Sequence, residues 1–429
     1  MNPQLDRIPG SVIQVLRRLR QSGYSAFLVG GCVRDLLLEH SIHDFDIATN
    51  ARPDAVAALF SRTIPTGLRH GTVTVLMNDL SLEVTTFRRE SSYSDARRPD
   101  SVTFADTIEE DLARRDFTFN AMAMNVDGHL IDPFGGQVDL QRACIRAVGN
   151  PAKRFAEDGL RIFRALRFAA DLGFAIAPDS FDAMTKSAHL VSRVAYERIG
   201  QELARIAGSR YWPQIVAMLA RGPWLTQLKS PWPELAIGFR ELAEAGIEPV
   251  AAAVRTLAKT LDPALQQATT AAVWANRANI RLEHVRQWLR TMAWSRPVRD
   301  AVIDSLACYA VEPLGLSALE WRKFLFDKDP NLVFASCLWK DVLDPTPNTL
   351  GLRLDPPSRV ERYVNFAETQ PLWTAKNLAI NGRDLLYLGA SGKAIGDTLG
   401  RLVSEVLAGR IQNTHAHLRE HARAMLKEM

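Results

Sequence analysis

Two aspartates, Asp44 and Asp46, flank Phe45 in the segment His43-Asp44-Phe45-Asp46-Ile47. On a strand, alternate side chains share a face, so both carboxylates project together while Phe45 and Ile47 turn inward, with about 6.6 Å between the aspartate Cα atoms. Like charges held this close repel, and a hard divalent cation shared with bound phosphates gives the arrangement a reason; Mg²⁺ suits such oxygen donors. A bare D-x-D is also what a solvent-facing strand edge looks like. Its surroundings add weight. Leu28-Val29-Gly30-Gly31 sets a glycine turn between a strand and a helix, where N–H groups at Gly30 and Gly31 can hold a phosphate, and Arg34 follows one turn later. Glu83 lies on a later strand with Val84 and Thr86 on the opposite face. It is either a third carboxylate of the same site or an exposed strand residue.

A second polar group begins at Glu157-Asp158-Gly159-Leu160-Arg161, read as the start of a helix that ends near Gly173. Asp158 and Arg161 are three apart and share a helical face, which on sequence alone is an ordinary i,i+3 ion pair. Arg164 and Arg167 continue the series, and Arg161 to Arg167 spans about 9 Å of helix axis. Phe163, Leu166 and Phe168 mark this helix as packed, so some of its arginines must line something polar. Arg114-Arg115-Asp116-Phe117 with Asn120 reads by itself as a charged helix cap.

The elements that would hold these groups are legible over the first 150 residues. Residues 26–29 form a short apolar strand, 32–39 a helix, 45–48 a strand and 53–60 a helix with Pro53 in its first turn. Residues 72–77 and 82–87 form a hairpin across Asn78-Asp79. The stretch from Arg88 to Phe104, with four arginines and little apolar content, predicts a mobile loop. Beyond about Gly149 the strand signal ends and helical periodicity continues, with turn signals near Gly173, Gly208, Pro223, Pro249, Pro313 and residues 345–347. The fold class expected is α+β: a small α/β head followed by an all-helical remainder.

Length and composition bound the rest. A chain of 429 residues, 47% apolar and 23% charged, is an ordinary globular protein of two to four domains. No apolar run reaches the eighteen or so residues of a membrane span. The N-terminal stretch reads as a basic amphipathic helix ended by Gly23, not a secretion signal, so a cytoplasmic protein is expected. Cys32, Cys144, Cys308 and Cys337 lie far apart with no C-x-x-C, and are expected to be buried and reduced. A net charge of +4 permits nucleic acid without arguing for it.

FLVGGCVRDLLL followed by HDFDIAT resembles the nucleotidyltransferase superfamily that includes DNA polymerase beta, and more narrowly the class II tRNA nucleotidyltransferases (CCA-adding enzymes) and bacterial poly(A) polymerases. Supporting segments are TGLRHGTVTV, EVTTFRRESSYSDARRPDSVTF, EEDLARRDFTFNAMA, DPFGGQVDL, RFAEDGLRIFRALRFAADLGF and, near the C-terminus, LAINGRDLLYLGASGKAIGDTLGRLVSEVLAGRIQN. The resemblance is dense over 25–210, returns over 376–413, and between them is only general.

It implies a polymerase beta-like head (1–148), a helical neck for base recognition (149–210), a helical body (211–330) and a helical tail that binds tRNA (331–429). Asp44 and Asp46 would bind two Mg²⁺ ions, and the catalytic set would be these two with Glu83 added on its place in the later strand. Gly30, Gly31 and Arg34 would contact the incoming nucleotide, Arg115, Asp116 and Asn120 its ribose and phosphates, and Arg164 and Arg167 would continue those contacts. Asp158 and Arg161 would act as a protein template. Cytosine and adenine each offer an amino donor beside a ring-nitrogen acceptor, which a carboxylate and a guanidinium complement; uracil and guanine mismatch both. A buried mismatch costs roughly 1–3 kcal/mol per unsatisfied group. The implied substrates are CTP, ATP and tRNA, with no membrane and no obligate protein partner. A flexible element over residues 88–104 would assist the switch from C to A addition and so implies addition of the whole CCA.

Other readings stay open. The chain could add only the final A, or could be a poly(A) polymerase, although members of that branch carry a basic, Phe-containing stretch where this chain has TGLRHG. From another class, it could be a non-catalytic RNA-binding protein, against which the presence of both Asp44 and Asp46 argues, since a mere binder would have no use for a Mg²⁺ pair. His417-Leu418-Arg419-Glu420-His421 fits the spacing of inverzincin proteases but reads as a basic tail helix. Tyr196-Glu197-Arg198-Ile199 matches a late motif of the family and is expected to brace the neck helices.

Overall fold

The structure, a computed structural model, describes residues 5–78, 80–90, 102–229, 232–325, 328–344, 358–369 and 377–427. It divides into two compact units, Met1–Ala236 with Thr291–Ala293, and Ile237–Arg290 with Trp294–Met429.

Unit 1 opens with α1 (Gly10–Gln21), whose Val12, Val15, Leu16 and Leu19 are buried at helical spacing while Arg17, Arg18 and Arg20 face solvent. Gly23, at φ +86°, ends it as expected. The sheet that follows holds β1 (Ala26–Val29), β2 (Asp46–Thr49), β3 (Thr63–Gly67), β4 (Thr72–Met77) and β5 (Leu80–Thr86). A small ladder, β6 (Arg88–Glu90) against β7 (Val102–Phe104), stands apart, and β8 (Ala123–Asn125) and β9 (Leu130–Ile131) complete the main sheet. Its order is β3-β4-β5-β2-β1-β8-β9; β2 and β5 run parallel and the other neighbours antiparallel. Alternation sets the faces of β5: Leu82, Val84 and Thr86 are buried and Ser81 and Glu83 exposed.

Around the sheet lie α2 (Gly31–Leu37), α3 (Pro53–Leu59), α4 (Ile108–Ala113) and α5 (Gly136–Gln141). Then come α6 (Pro151–Glu157), α7 (Leu160–Leu172), α8 (Pro178–Lys186), α9 (Tyr196–Gly208) and α10 (Trp212–Arg221). Several expectations need correction. Strand β2 starts at Asp46, so Asp44 precedes it rather than sharing its pleat. Strand β3 lacked an apolar signal because three of its five residues are exposed. A two-residue strand beyond Gly149, β11 (Ala175–Ile176), pairs parallel with β10 (Cys144–Ile145). Most importantly, Glu157 to Arg161 is not the start of one helix. Asp158 is extended (φ −149°, ψ 109°) between α6 and α7, and its carboxylate Oδ1 accepts the Leu160 N–H at 2.9 Å. Gly159 already has helical dihedrals (φ −59°, ψ −20°) and packs closely, since a Cβ there would stand 2.9 Å from the Leu190 carbonyl oxygen. The expected mobile loop falls, over residues 91–101, outside the described residues.

Unit 2 is helical throughout its described residues, from Ile247–Thr260 and Pro263–Arg277 to His415–Lys427. Trp274, Trp288 and Trp339 are fully buried there, and Arg359, 5% exposed, is paired with Glu312 and Asp341 at 2.9 and 3.3 Å. The turn signal at residues 345–347 lies outside the described residues. Cys32, Cys308 and Cys337 are buried free thiols, while Cys144, next to the fully buried Ile145 in β10, is only half-buried. Among the described residues, no helix is long and apolar enough to cross a membrane.

Candidate active site

A cavity of about 730 Å³ in unit 1 gathers both polar groups singled out in the sequence. Its carboxylate side is built on the parallel pair of strands. Asp46 opens β2 directly beside Glu83 of β5, and Glu83 faces away from the core. Asp46 stays open to solvent at its outer edge, yet the surrounding protein desolvates it. That desolvation raises its carboxyl above the ordinary aspartate range; Arg115 opposes the rise, and the like charges of Glu83 and Asp44 add to it. Asp44 is exposed, does not line the cavity, and acts on Asp46 through charge.

This donor set fits a hard cation. Three carboxylates repel one another with one guanidinium nearby, and Asp46 is held uncomfortably as an anion. Among the described residues, no three His, Cys, Asp or Glu side chains close into a cage for an ion. Mg²⁺ typically takes only one or two carboxylates and completes its shell with water and phosphate oxygens, so an open set is compatible with it. The 417–421 spacing lies on the helix His415–Lys427 of unit 2 and gathers no such group.

The glycine turn is shaped for close approach. Gly30 sits at φ +73° and caps α2, and a Cβ there would come within 2.6 Å of Arg115 Nη1. Arg115 donates to Asp111 at 3.1 Å and reaches the Asn120 carbonyl only at 3.5 Å. Its buried Nε has no hydrogen-bond partner among the described residues. Asp111, 1% exposed, also takes Arg114 at 2.7 Å; burial works against its charge, but the two guanidinia hold its carboxyl below the ordinary value.

From there a hydrogen-bonded chain crosses the cavity. Arg34 Nη1 donates to Asn120 Oδ1 at 3.0 Å, Asn120 Nδ2 donates to Asp116 Oδ1 at 3.2 Å, and Arg164 Nε donates to Asp116 Oδ2 at 2.7 Å. Burial would push the Asp116 carboxyl up, yet Arg164, with Arg161 and Asn120, keeps it far below the usual range. Arg167 turns to Glu202 of α9 at 2.6 Å and to Asp171 at 2.9 Å. Phe168, 3% exposed, lies under three guanidinia: Arg167 at 3.9 Å, Arg34 at 5.4 Å and Arg164 at 5.5 Å from its centroid.

Asp158 and Arg161 both line the cavity, but they are not an ion pair with each other. Asp158 is held by Arg198 of α9 at 2.8 Å. Arg161 donates to Glu157 at 2.6 Å, to the Arg154 carbonyl at 2.7 Å and to the Arg114 carbonyl at 3.1 Å. The i,i+3 argument fails because Asp158 is not on the helix. Twelve of the thirteen residues singled out in the sequence thus surround one cavity, Asp44 being outside its lining. Arg198, Asp111 and Arg114 line it too and were not singled out for it, although Arg198 and Glu202 stand one turn apart on a strongly amphipathic helix. That i,i+4 pair was the available signal.

The sequence matches the Poly A polymerase head domain over residues 26–146 and the probable RNA and SrmB- binding site of polymerase A over residues 173–229. The CCA-adding enzyme of Limosilactobacillus fermentum is 37% identical over 415 residues, 96% of either chain. That of Geobacillus stearothermophilus is 35% identical over 403 residues, 93% of either chain. The solved structure of Bacillus stearothermophilus CCA-adding enzyme in complex with CTP aligns over 100% of both chains, with a TM-score of 0.74 and 30% identity. The Thermotoga maritima CCA-adding enzyme complexed with tRNA aligns over 99% of this chain and 97% of that one, with a TM-score of 0.63; at 19% identity that likeness concerns the fold.

Proposed function

The chain belongs to the CCA-adding enzyme family, and we propose that it builds the CCA end of tRNA from CTP and ATP, releasing pyrophosphate at each step. It is a nucleotidyltransferase that works without a nucleic-acid template, and its head has the polymerase beta-like fold. Enzymes of this kind use divalent cations; we assign Mg²⁺ here, on the donor chemistry of Asp44, Asp46 and Glu83.

The observation that carries the reading is a single cavity with Asp46 and Glu83 in one part of its lining and Asp158, Arg161 and Arg164 in another. When bound, the cations supply charge neutralisation for in-line attack of the RNA 3′-hydroxyl on the nucleotide α-phosphate. The protein's part is to position. Asp44 and Asp46 would hold the cations, with Glu83 beside Asp46. Gly30 and Gly31 let the triphosphate approach the backbone, and Arg34 and Arg115 draw its charge. Asn120 and Asp116 fix the ribose side and orient Arg164, and Arg167 extends the cationic wall. Asp158 accepts from the amino group of cytosine or adenine, and Arg161 donates to the adjacent ring nitrogen.

We assign residues 1–148 to the head, 149–210 to the neck, 211–330 to the body and 331–429 to a tail that grips tRNA, and the cytoplasm as the compartment where tRNA and nucleotides meet. The test is incubation of the protein and Mg²⁺ with a tRNA transcript ending at the discriminator base, given CTP, ATP, both, or GTP with UTP. Two residues added with CTP, three with CTP plus ATP and none with GTP or UTP is the expected outcome. Open-ended ATP addition would make the chain a poly(A) polymerase, and a single A added only to CC-ended tRNA would make it a partner enzyme. No incorporation with any primer would leave an RNA-binding protein.

A further inference from the structure

We infer that Arg198 is a positioning residue for base selection: it pins the Asp158 carboxylate so that the acceptor cannot swing away from a wrong base. The inference rests on the proposed role of Asp158 as the acceptor for the base's amino group.

Asp158 is in an extended stretch between two helices. Two groups restrain its side chain, one from the first turn of α7 and one from α9. The Leu160 N–H donates to Oδ1 at 2.9 Å. Arg198 reaches across from α9, forty residues away in sequence, donating from Nη2 to Oδ2 at 2.8 Å and more loosely from Nη1 to Oδ1 at 3.5 Å. A planar guanidinium spanning both oxygens of a carboxylate fixes its plane as well as its position, which a point cation cannot do. Each carboxylate oxygen has two acceptor positions. Those on Oδ1 are taken by Leu160 and Arg198, and Oδ2 keeps one, so Oδ2 is the atom assigned to meet the base. Arg198 and Asp158 both line the cavity, and their side chains are 31% and 19% exposed.

Rigidity matters more for rejection than for acceptance. Cytosine brings its own N–H to the carboxylate and would draw even a mobile acceptor into line. Uracil brings a carbonyl oxygen, and a fixed carboxylate then faces it lone pair to lone pair. A free carboxylate would rotate away and relieve the mismatch, so discrimination requires that the acceptor be held.

The experiment measures kcat/KM for CTP and for UTP on a discriminator-ended tRNA, with wild type, Arg198→Ala, Arg198→Lys and Asp158→Ala. Arg198→Ala is expected to lower the CTP-to-UTP ratio by about tenfold or more, mainly by raising UTP use, while CTP turnover falls only a few-fold. Arg198→Lys, able to hold one oxygen, is expected to restore part of the ratio. Equal losses for CTP and UTP would reduce Arg198 to a structural brace and overturn the inference, as would an unchanged ratio in whichever Arg198 variant folds with a wild-type thermal transition. Asp158→Ala separates the two readings. If it keeps the wild-type ratio, the role of Asp158 falls and this inference falls with it. If it loses the ratio while Arg198→Ala keeps it, only the role of Arg198 falls.

Discussion

Asp46 and Glu83 are register partners across the parallel pairing of β2 with β5, so two carboxylates that are 37 positions apart in sequence stand side by side on interior strands of the sheet. Removing a direct ligand to a catalytic cation costs several kcal/mol of transition-state stabilisation. Asp46→Asn is therefore expected to lower nucleotide incorporation by roughly 10³-fold or more. Glu83→Gln keeps the shape and loses one charge, so its effect should be about 10–100-fold, with a higher Mg²⁺ requirement. Titrating Mg²⁺ against incorporation rate checks both. Wild-type metal dependence in Glu83→Gln would make Glu83 an exposed strand residue and nothing more.

Gly30 cannot carry a side chain without moving Arg115. A Cβ there falls 2.6 Å from Arg115 Nη1, and the backbone is at φ +73°. Gly30→Ala is expected to cost about 1–2 kcal/mol in backbone strain and to raise the nucleotide KM several-fold. Thermal denaturation beside steady-state kinetics reads both effects, and an unchanged KM would detach the turn from nucleotide binding.

The Asp116–Arg164 pair predicts acid sensitivity with a definite sign. The Asp116 carboxyl lies well below its unfolded value of 3.8 in the folded chain. Its contribution to stability is thus fully present above about pH 4 and fades as pH falls toward the depressed folded value. Asp116→Asn is expected to lose roughly 3 kcal/mol at pH 7, the lower end for a broken buried pair because Arg164 is part-exposed. The difference between variant and wild type should narrow at pH 3. Urea denaturation at pH 7, 5 and 3 measures it, and a gap that widens in acid would contradict the sign.

Phe168 supports three guanidinia and packs edge-on against Phe117 and Phe119. Phe168→Leu keeps most of the bulk but loses the ring face, which is expected to cost about 1–3 kcal/mol of stability and weaken nucleotide binding about tenfold. Phe168→Ala opens a cavity and should cost about 3–5 kcal/mol. Melting curves with and without CTP separate the two losses, and a Leu variant with unaltered CTP-induced stabilisation would confine Phe168 to packing.

How far the site was legible depended on how local each signal was. The apolar run of β1, the glycine turn and the alternation in β5 are short-range patterns, and they put Gly30, Asp46 and Glu83 in the expected elements. The pairing of Asp46 with Glu83 left no trace in either segment, because strand neighbours are chosen by topology. Asp158 and Arg161 were legible as chemistry but not as geometry. Spacing of three means a shared face only on an unbroken helix, and the chain is extended at Asp158. Arg198 read as a brace because its partner lies forty residues upstream, a distance to which no periodicity speaks.

One contact in unit 1 bears on how the chain can be divided. At Gly200, between Arg198 and Glu202 on α9, an added Cβ would stand 2.4 Å from Met292 Cβ and 2.7 Å from the Met292 carbonyl oxygen. The helix that grips Asp158 and Arg167 thus leans on a three-residue piece, Thr291–Ala293, delivered by the chain only after it has passed through more than fifty residues of the other unit. A polypeptide cut after residue 236 would contain every residue of the cavity and lack the stop behind α9. Gene fragments, split-protein halves and domain grafts taken from this enzyme should therefore be bounded by that contact and not by the last residue of the pocket.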